Sequence, residues 1–541
     1  MAAAGVMAGR GERLTSLRAR LVSPMPSDRV TSWGWALLVT GFGAFLRFDR
    51  LAVPRALSFD ETYYAKDAWS ILRHGVEWCT VSKPNVPDYA NQLIQAGKTN
   101  IFGTCPGGGH GEYVVQPEMG KLLIAVGEWL FGLNSFGWRF MSAVFGSLAI
   151  LLICRIARRM TRSTLLGCIA GLLMSLDGLE FVLSRTGILD IFLMFFVLAA
   201  FGCMLIDRDE SRARLAGLVA GGPVDEAGPR LGIRKWRVLA GVFAGLAIAT
   251  KWDAVWYLIG FAVLGTLWDT GARRAAGLRS FIRGALTRDG IWLPVTFVVI
   301  PFIVYVATWS NWLITGTGYD RDYGQTHGVT TPVISALYSL YEYHLEAIRF
   351  GLGLNTPHFY QSQPWDWLLM TRPVAFYYQG YNNPVPGPAH FCPKTGCVGP
   401  IWSQEVLALG TPAIWWAAIG ALVFCLAWWL LHRDWRAGAV LCGIVAGWLP
   451  WFPLVSRTKF FYYALEFEPF LILSLTLCLG LIIGKASASL LRRSLGASVA
   501  GAYLIIVLLM FSYFYPVFAA KVITYPDWLD RMWYTIGHGW I

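Results

Sequence analysis

An all-helical polytopic membrane protein is the fold class this sequence predicts, and three observations carry that prediction. Of 541 residues, 55% are hydrophobic and only 14% charged, against about 25% charged in a soluble globular domain. The apolar residues come in long runs rather than amphipathic patterns, which read as membrane spans. Aromatics reach 15%, with 26 Trp, and Trp and Tyr collect at a membrane–water boundary that such a chain crosses many times.

Taken in order, residues 1–32 hold five Arg and no apolar core, so they predict a basic cytoplasmic tail and not a cleavable signal peptide. The first hydrophobic segment, 33–48, ends in Arg47 and Arg50 without a small-residue cleavage site and is expected to stay as a span. Further spans fall near 139–154, 163–179, 188–206, 237–250, 254–268, 291–309, 411–431, 437–454, 460–484 and 496–515, eleven in all, with the C-terminus outside. The inner segments (1–32, 155–162, 207–236, 269–290, 432–436 and 485–495) then hold 25 of the 45 Lys and Arg, while the longer outer side is poorer per residue. That is the positive-inside distribution. It accounts for the net charge of +12 as a device that sets topology, and no nucleic-acid partner is expected.

The resulting organisation is a tail (1–32), a transmembrane half (33–309) containing a first outer loop (51–137), a second outer loop (310–410), a C-terminal transmembrane half (411–515) and an outer tail (516–541). The first loop includes amphipathic stretches such as Lys121–Phe131, too short or polar to cross. Loops this long are usually functional, which puts any chemistry at the outer face. Six cysteines fall in expected spans. Cys79 and Cys105 share the first outer loop and Cys392 and Cys397 the second, an arrangement that suggests disulfides within each loop. No His/Cys cluster suggests zinc. No cofactor is required by the pattern, and a carboxylate-bound divalent metal stays open.

Ionisable residues at span ends are costly and tend to mark function. Four places stand out. Asp60 and Glu61 are adjacent carboxylates at a membrane edge; they suit a base beside an acid held by a cation, or simply an N-cap ahead of a helix over 61–73. Next come Gln116-Pro117-Glu118-Met119-Gly120-Lys121 and Arg139. Lys121 could merely snorkel, whereas Arg139, at the outer start of a span, wants an anion, either a carboxylate such as Asp60 or a lipid phosphate. The third group is Asp177, Glu180, Arg185 and Asp190; Arg185 and Asp190 are five apart, so partners on other helices suit them better than each other. The fourth is Lys251 and Asp253, to which Arg457 and Lys459 add cations on the face the topology leaves poor. Cations beside carboxylates there suit an anionic lipid head group, although Glu466 and Glu468 could pair with Arg457 and Lys459.

In this order and topology the motifs resemble the protein O-mannosyltransferase family, a branch of the C-type glycosyltransferases, and the shape resembles its bacterial members. Asp60-Glu61 is similar to its Asp-Glu motif, and Gln116-Pro-Glu-Met-Gly-Lys121 to its His-Pro-x-x-Gly-Lys motif, with Gln116 in place of the His. Arg139 with Ser142 and Gly146 resembles its Arg–Ser–Gly pattern, and Asp177…Ser184-Arg185…Leu189-Asp190 its Asp…Ser-Arg…Leu-Asp segment. Trp365-Asp366-Trp367…Arg372-Pro373…Tyr377-Tyr378 and Arg457…Phe461-Tyr462-Tyr463 resemble its C-terminal half, so that the likeness covers about residues 35–515. No segment is long and polar enough for the β-trefoil module of eukaryotic members.

The resemblance implies inverting transfer of mannose from polyprenyl-phosphate-mannose to Ser/Thr hydroxyls of exported proteins at the outer face of the cell membrane; the export channel is a further expected partner, because an unfolded acceptor exposes more Ser/Thr. Asp60 is then expected as general base, with Glu61 orienting the acceptor or holding Arg139. Arg139 is expected at the donor phosphate, directly or through the carboxylates, with Arg185, Lys251, Arg457 and Lys459 as further phosphate candidates and Lys121, Asp177 and Asp190 in support. Two other readings compete: a related transferase with a lipid or cell-wall glycan acceptor, and a transporter or flippase. The second is disfavoured because the sequence lacks repeated halves.

Overall fold

In lipid, a backbone that leaves N–H and C=O groups unpaired is penalised heavily, so an apolar run coils on itself. Every expected span accordingly falls on a helix in the computed structural model, which describes residues 14–381, 402–485, 487–533 and Trp540. Helix α1 (Arg29–Phe48) leads into the first outer loop, where α2 (Glu61–His74) and α3 (Glu118–Phe131) form. Next come α4 (Ser135–Thr161), α5 (Thr164–Ser175), α6 (Asp190–Gly221), α7 (Lys235–Ile248), α8 (Val255–Ala275) and α9 (Phe281–Thr308). The second outer loop contributes α10 (Pro332–Gly353), and α11 (Pro412–His432), α12 (Trp435–Trp448), α13 (Glu468–Ile483) and α14 (Leu490–Phe518) complete the bundle. Among the described residues, five helices (α4, α6, α9, α11 and α14) are long and apolar enough to cross a membrane by length and composition. The other six helices at expected spans are shorter or more polar.

Helix α6 is the centre, buried on almost every side from Asp190 to Leu205. The outer helices turn apolar side chains away from the protein, among them Phe302 and Ile303 on α9, Val423 and Leu430 on α11, and Leu509 on α14. Such a surface matches lipid chains. Helices α3 and α4 meet without side chains between them: a Cβ on Gly127 would sit 2.3 Å from the Gly137 carbonyl oxygen. That close approach brings the first outer loop down onto the start of α4. Far from it, Asp207 and Asp269 each take Arg234 and Arg237 in a buried four-residue network at 2.6–3.1 Å, so Arg234 of the inner segment and Arg237 at its edge are paired as well as topological.

The sequence predicted an all-helical chain, and the structure is mostly helical but not wholly so. The outer segments also build an antiparallel sheet in the order β1 (Val374–Tyr381), β2 (Trp402–Ala408), β3 (Val522–Thr524), with Tyr378 opposite Glu405 and Ser403 opposite Ile523. The expected outer tail therefore supplies a strand. Its pairing joins segments more than a hundred residues apart, which leaves no local period to read. Cys79 and Cys105 form a disulfide across the first outer loop; Cys392 and Cys397 lie outside the described residues.

Candidate active site

Two adjacent carboxylates at a helix start point about 100° apart and so can meet different partners. Phe59 adopts a left-handed conformation, φ +49°, which costs a bulky residue about 1–3 kcal/mol. Its ring is held in compensation, stacked on Phe376 at 5.0 Å and edge-on to Phe460 and Tyr462. Beyond this turn α2 begins, with Asp60 at its N-cap position but making no capping bond.

Glu61 is buried and saturated. Its Oε1 accepts from Arg139 Nε at 2.7 Å and from the Gly187 N–H at 2.8 Å; its Oε2 accepts from Arg139 Nη2 and from the Ser58 N–H, both at 2.8 Å. Arg139 is equally committed. Besides Glu61, its Nη1 donates to the carbonyls of Leu51 and Pro54, and its Nη2 to the Ala56 carbonyl and the Ser58 hydroxyl, at 2.9–3.3 Å. All five guanidinium N–H groups are used inside the chain, in a bidentate pair that ties α2 to α4.

Asp60 is half-buried and far less constrained. Its Oδ2 accepts one hydrogen bond, from the Tyr462 hydroxyl at 3.2 Å. Burial and the neighbouring Asp190 carboxylate push its pKa up to about 6, against the pull of Tyr462 and Lys251. Asp190, at the first turn of α6, takes Lys251 at 3.0 Å, and Lys251 lies over the Tyr463 ring at 4.4 Å. Burial alone would discharge Lys251, but Asp190, Asp253 and Tyr463 together hold its ammonium above the ordinary lysine range.

Lys251 also lines a cavity of about 200 Å³, which it shares with Arg457, Tyr463, Gln116 and Asp253. Trp252, Trp256, Leu352 and Trp451 form its apolar wall. Arg457 donates through Nε to the Gly351 carbonyl at 3.0 Å, while its buried Nη1 has no partner. Two cations thus share a pocket whose wall includes strongly exposed Leu352 and Trp256, a combination suited to an anion carried on an apolar tail.

The remaining candidates lie elsewhere. Arg185 donates to the carbonyls of Leu46, Arg47, Asp49 and Arg50, capping the C-terminal end of α1. Lys459 is buried and donates to the carbonyls of Leu454 and Val455; burial and Arg457 push its ammonium down. Neither Lys459 nor Arg457 forms an ion pair with Glu466 or Glu468 among the described residues, so the pairing weighed from sequence is not made. Nor does Lys121 snorkel: it is buried between Glu77 and Glu118. Asp177 accepts from the N–H groups of Leu179, Glu180 and Thr411 and from the Trp415 indole, knotting the turn between α5 and α6 to α11. Arg185 and Asp190 have separate partners, in keeping with their unfavourable spacing. Sequence reasoning assigned no role to Tyr462 or Tyr463, although their aromatic run was visible, and Glu77 carried no signal at all.

Residues 37–311 match the family described as dolichyl-phosphate-mannose-protein mannosyltransferase, and residues 336–536 match the C-terminal four TMM region of protein-O-mannosyltransferase. A polyprenol-phosphate-mannose–protein mannosyltransferase of Mycolicibacterium smegmatis (strain MKD8) is 38% identical over 521 residues, 94% of this chain and 93% of the relative. Its counterpart in Mycobacterium tuberculosis (strain ATCC 25618 / H37Rv) is 37% identical, over 94% of this chain and 92% of that one. Among solved structures, the Saccharomyces cerevisiae protein O-mannosyltransferase Pmt1-Pmt2 complex bound to the sugar donor has the same fold, with a TM-score of 0.68 at 14% identity over 97% of this chain and 94% of that chain. Matched in both halves, and by relatives nearly as long as itself, the chain is a multi-pass membrane protein that belongs to the dolichyl-phosphate-mannose-protein mannosyltransferase family.

Proposed function

We propose that this chain transfers mannose, with inversion, from polyprenyl-phosphate-mannose to Ser or Thr hydroxyls of exported proteins. The reaction takes place at the outer face of the cell membrane, with the N-terminus cytoplasmic and the C-terminus outside. The names carried by the mycobacterial relatives support the donor and the protein acceptor. One observation from the structure carries the chemistry: a half-buried, weakly restrained carboxylate, Asp60, sits beside a cation, Lys251, that also lines a two-cation cavity with an apolar wall.

The parts divide as follows. Asp60 takes the proton of the acceptor hydroxyl as its oxygen bonds to the anomeric carbon. The bond from that carbon to the phosphate oxygen breaks, and its electron pair leaves with the phosphate. The transition state resembles an oxocarbenium ion, so developing charge falls on the departing phosphate, where Lys251 and Arg457 hold it. Asp190 fixes Lys251 in place. Glu61 and Arg139 are positioning residues: their closed ion pair aims Asp60 by anchoring the start of α2, so Arg139 serves the phosphate through this frame. Both transmembrane halves contribute, 33–309 with Asp60 and Lys251, and 411–515 with Arg457 and Tyr462. The export channel fits as a neighbour, because an unfolded acceptor exposes its hydroxyls.

The test is direct. Purified protein is incubated with a polyprenyl-phosphate-mannose and a Ser/Thr-rich peptide, and the peptide is weighed by mass spectrometry. A gain of one hexose on the peptide supports the reading. Label found only in lipid or glycan would assign the acceptor elsewhere, and wild-type turnover by Asp60→Asn would remove the base from the mechanism.

A further inference from the structure

A separate cavity region takes no part in this chemistry and lies at the other end of the helices. Arg139 and Arg162 bracket α4; 23 residues at 1.5 Å each put them about 35 Å apart along its axis. Near Arg162, among the ends of α11, α12, α13 and α14, a cavity of about 860 Å³ opens. Its charged lining is Arg162, Arg436, Lys485, Arg492 and Arg493 against Asp434 alone. Asp209 takes Arg162 at 2.9 Å, and Asp434 takes Arg436 at 2.6 Å. Arg492 donates to the carbonyls of Leu481 and Ile482 and makes no ion pair among the described residues. The side chains of Lys485 and Arg493 make no ion pair among the described residues. Among the described residues, three cations therefore share the cavity without an acid of their own.

A second cavity, of about 540 Å³, continues from the first, with Phe424, Leu481 and Arg492 lining both. It runs between α11, α13 and α14 past Ala417, Gly420, Val499 and Tyr503, and Arg492 is its only charged lining residue. A Cβ added at Gly420 would meet nothing within 4 Å, so the groove is open there. From Arg492 to Tyr503 is eleven residues, or about 17 Å of helix. One leaflet of a roughly 30 Å hydrocarbon core is about 15 Å deep. The positive-inside distribution would leave basic residues spread over this face; it does not require a basic cavity that opens into an apolar slot one leaflet long.

We infer that these joined cavities bind an anionic diacyl phospholipid of the leaflet opposite Asp60, with its phosphate among Lys485, Arg492 and Arg493 and one acyl chain along the α11–α13–α14 groove. The site is independent of the transfer reaction and stands or falls apart from it.

The experiment is native mass spectrometry of the full-length protein purified in mild detergent and offered equal amounts of phosphatidylglycerol and phosphatidylcholine with matched chains. Each basic residue near a membrane surface contributes measurably to binding anionic lipid, so retention should favour phosphatidylglycerol by about tenfold or more. The triple variant Lys485→Gln, Arg492→Gln, Arg493→Gln should lose that preference. Gly420→Phe should lose the lipid with all three cations in place; Val499→Trp, at an exposed position, fills the same groove should the first variant fold poorly. Glycerophosphoglycerol, the head group without chains, should not displace the lipid at tenfold excess. Equal retention of the two lipids overturns the inference, as do full retention by the groove-filling variants and displacement by the chainless head group.

Discussion

Removing the Tyr462 hydroxyl should move the pH dependence of transfer upward, and the size of the move can be worked from the site. Asp60 is poised at about 6 because burial and Asp190 oppose its charge while Tyr462 and Lys251 favour it. As a general base it works only when ionised. From pH 5 to pH 7 the active fraction rises from about 9% to about 91%, so the rate of the wild type should rise about tenfold and then level. A hydrogen bond to a charged group is worth about 1.5–3 kcal/mol, and 1.36 kcal/mol is one pKa unit. At 3.2 Å the Tyr462 bond belongs at the lower end. Tyr462→Phe should therefore raise the midpoint by about one unit, with a plateau reached only above pH 8. The assay is the initial rate of hexose addition to a Thr-containing peptide between pH 5 and 8.5, followed by mass spectrometry. A wild-type rate that is flat or falling from pH 5 to 7, or a Tyr462→Phe midpoint that stays put or moves down, would refute Asp60 as the titrating base.

The same geometry sets further outcomes. Asp60→Asn should cost roughly 10²–10⁴ in rate. Its stability should move the other way: a raised carboxylate pKa means that the folded state binds the proton more tightly, so stability falls as pH rises from about 4 through about 6, and the uncharged amide escapes that loss. In a detergent melting assay at pH 8 the variant should unfold no earlier than the wild type. Arg139→Met should be destabilising by roughly 3–5 kcal/mol, since it strands a buried carboxylate; a melting temperature equal to the wild type would show that Glu61 and Arg139 do not frame the site. Arg457→Met should raise the KM for the lipid donor while leaving that for the peptide nearly unchanged; the reverse pattern in steady-state kinetics would move the donor phosphate out of the Lys251–Arg457 cavity.

The sequence was most legible where lipid dictates structure. Apolar runs such as 496–515 can satisfy their backbone only locally, so each could be placed on a helix from its own residues. Charges out of place at the outer rim were also readable as a group, and Glu61 with Arg139 was weighed as a pair although 78 positions separate them; for Asp190 only a partner on another helix was expected, and Lys251, 61 positions away, could not be named. What escaped was whatever depends on distant polar geometry. Lys121 read as a snorkelling candidate because nothing near it announces Glu77, which arrives from 44 positions away. Arg457 looked able to pair with Glu466 or Glu468, yet the turn before α13 sends it to the Gly351 carbonyl instead. The sheet was invisible for the same reason, since Val522–Thr524 has no partner until β2 folds beside it.

The contrast between Asp60 and Glu61 explains why two acids stand together. A base must keep an oxygen available and its proton affinity near working pH, which demands burial without full hydrogen bonding. An anchor demands the opposite, because a buried charge is tolerated only when its partners are complete. Glu61 receives four hydrogen bonds and Asp60 one, and the rotation of about 100° between neighbours at a helix start turns them to different partners. Exchanging the two residues, Asp60→Glu with Glu61→Asp, keeps charge and composition but shortens the anchor and lengthens the base by a methylene each. If position matters as argued, the exchange should lose both activity and thermal stability, whereas Asp60→Glu alone should lose activity and keep its melting temperature. Equal melting temperatures for the two would mean that the anchoring described here does not depend on the reach of Glu61.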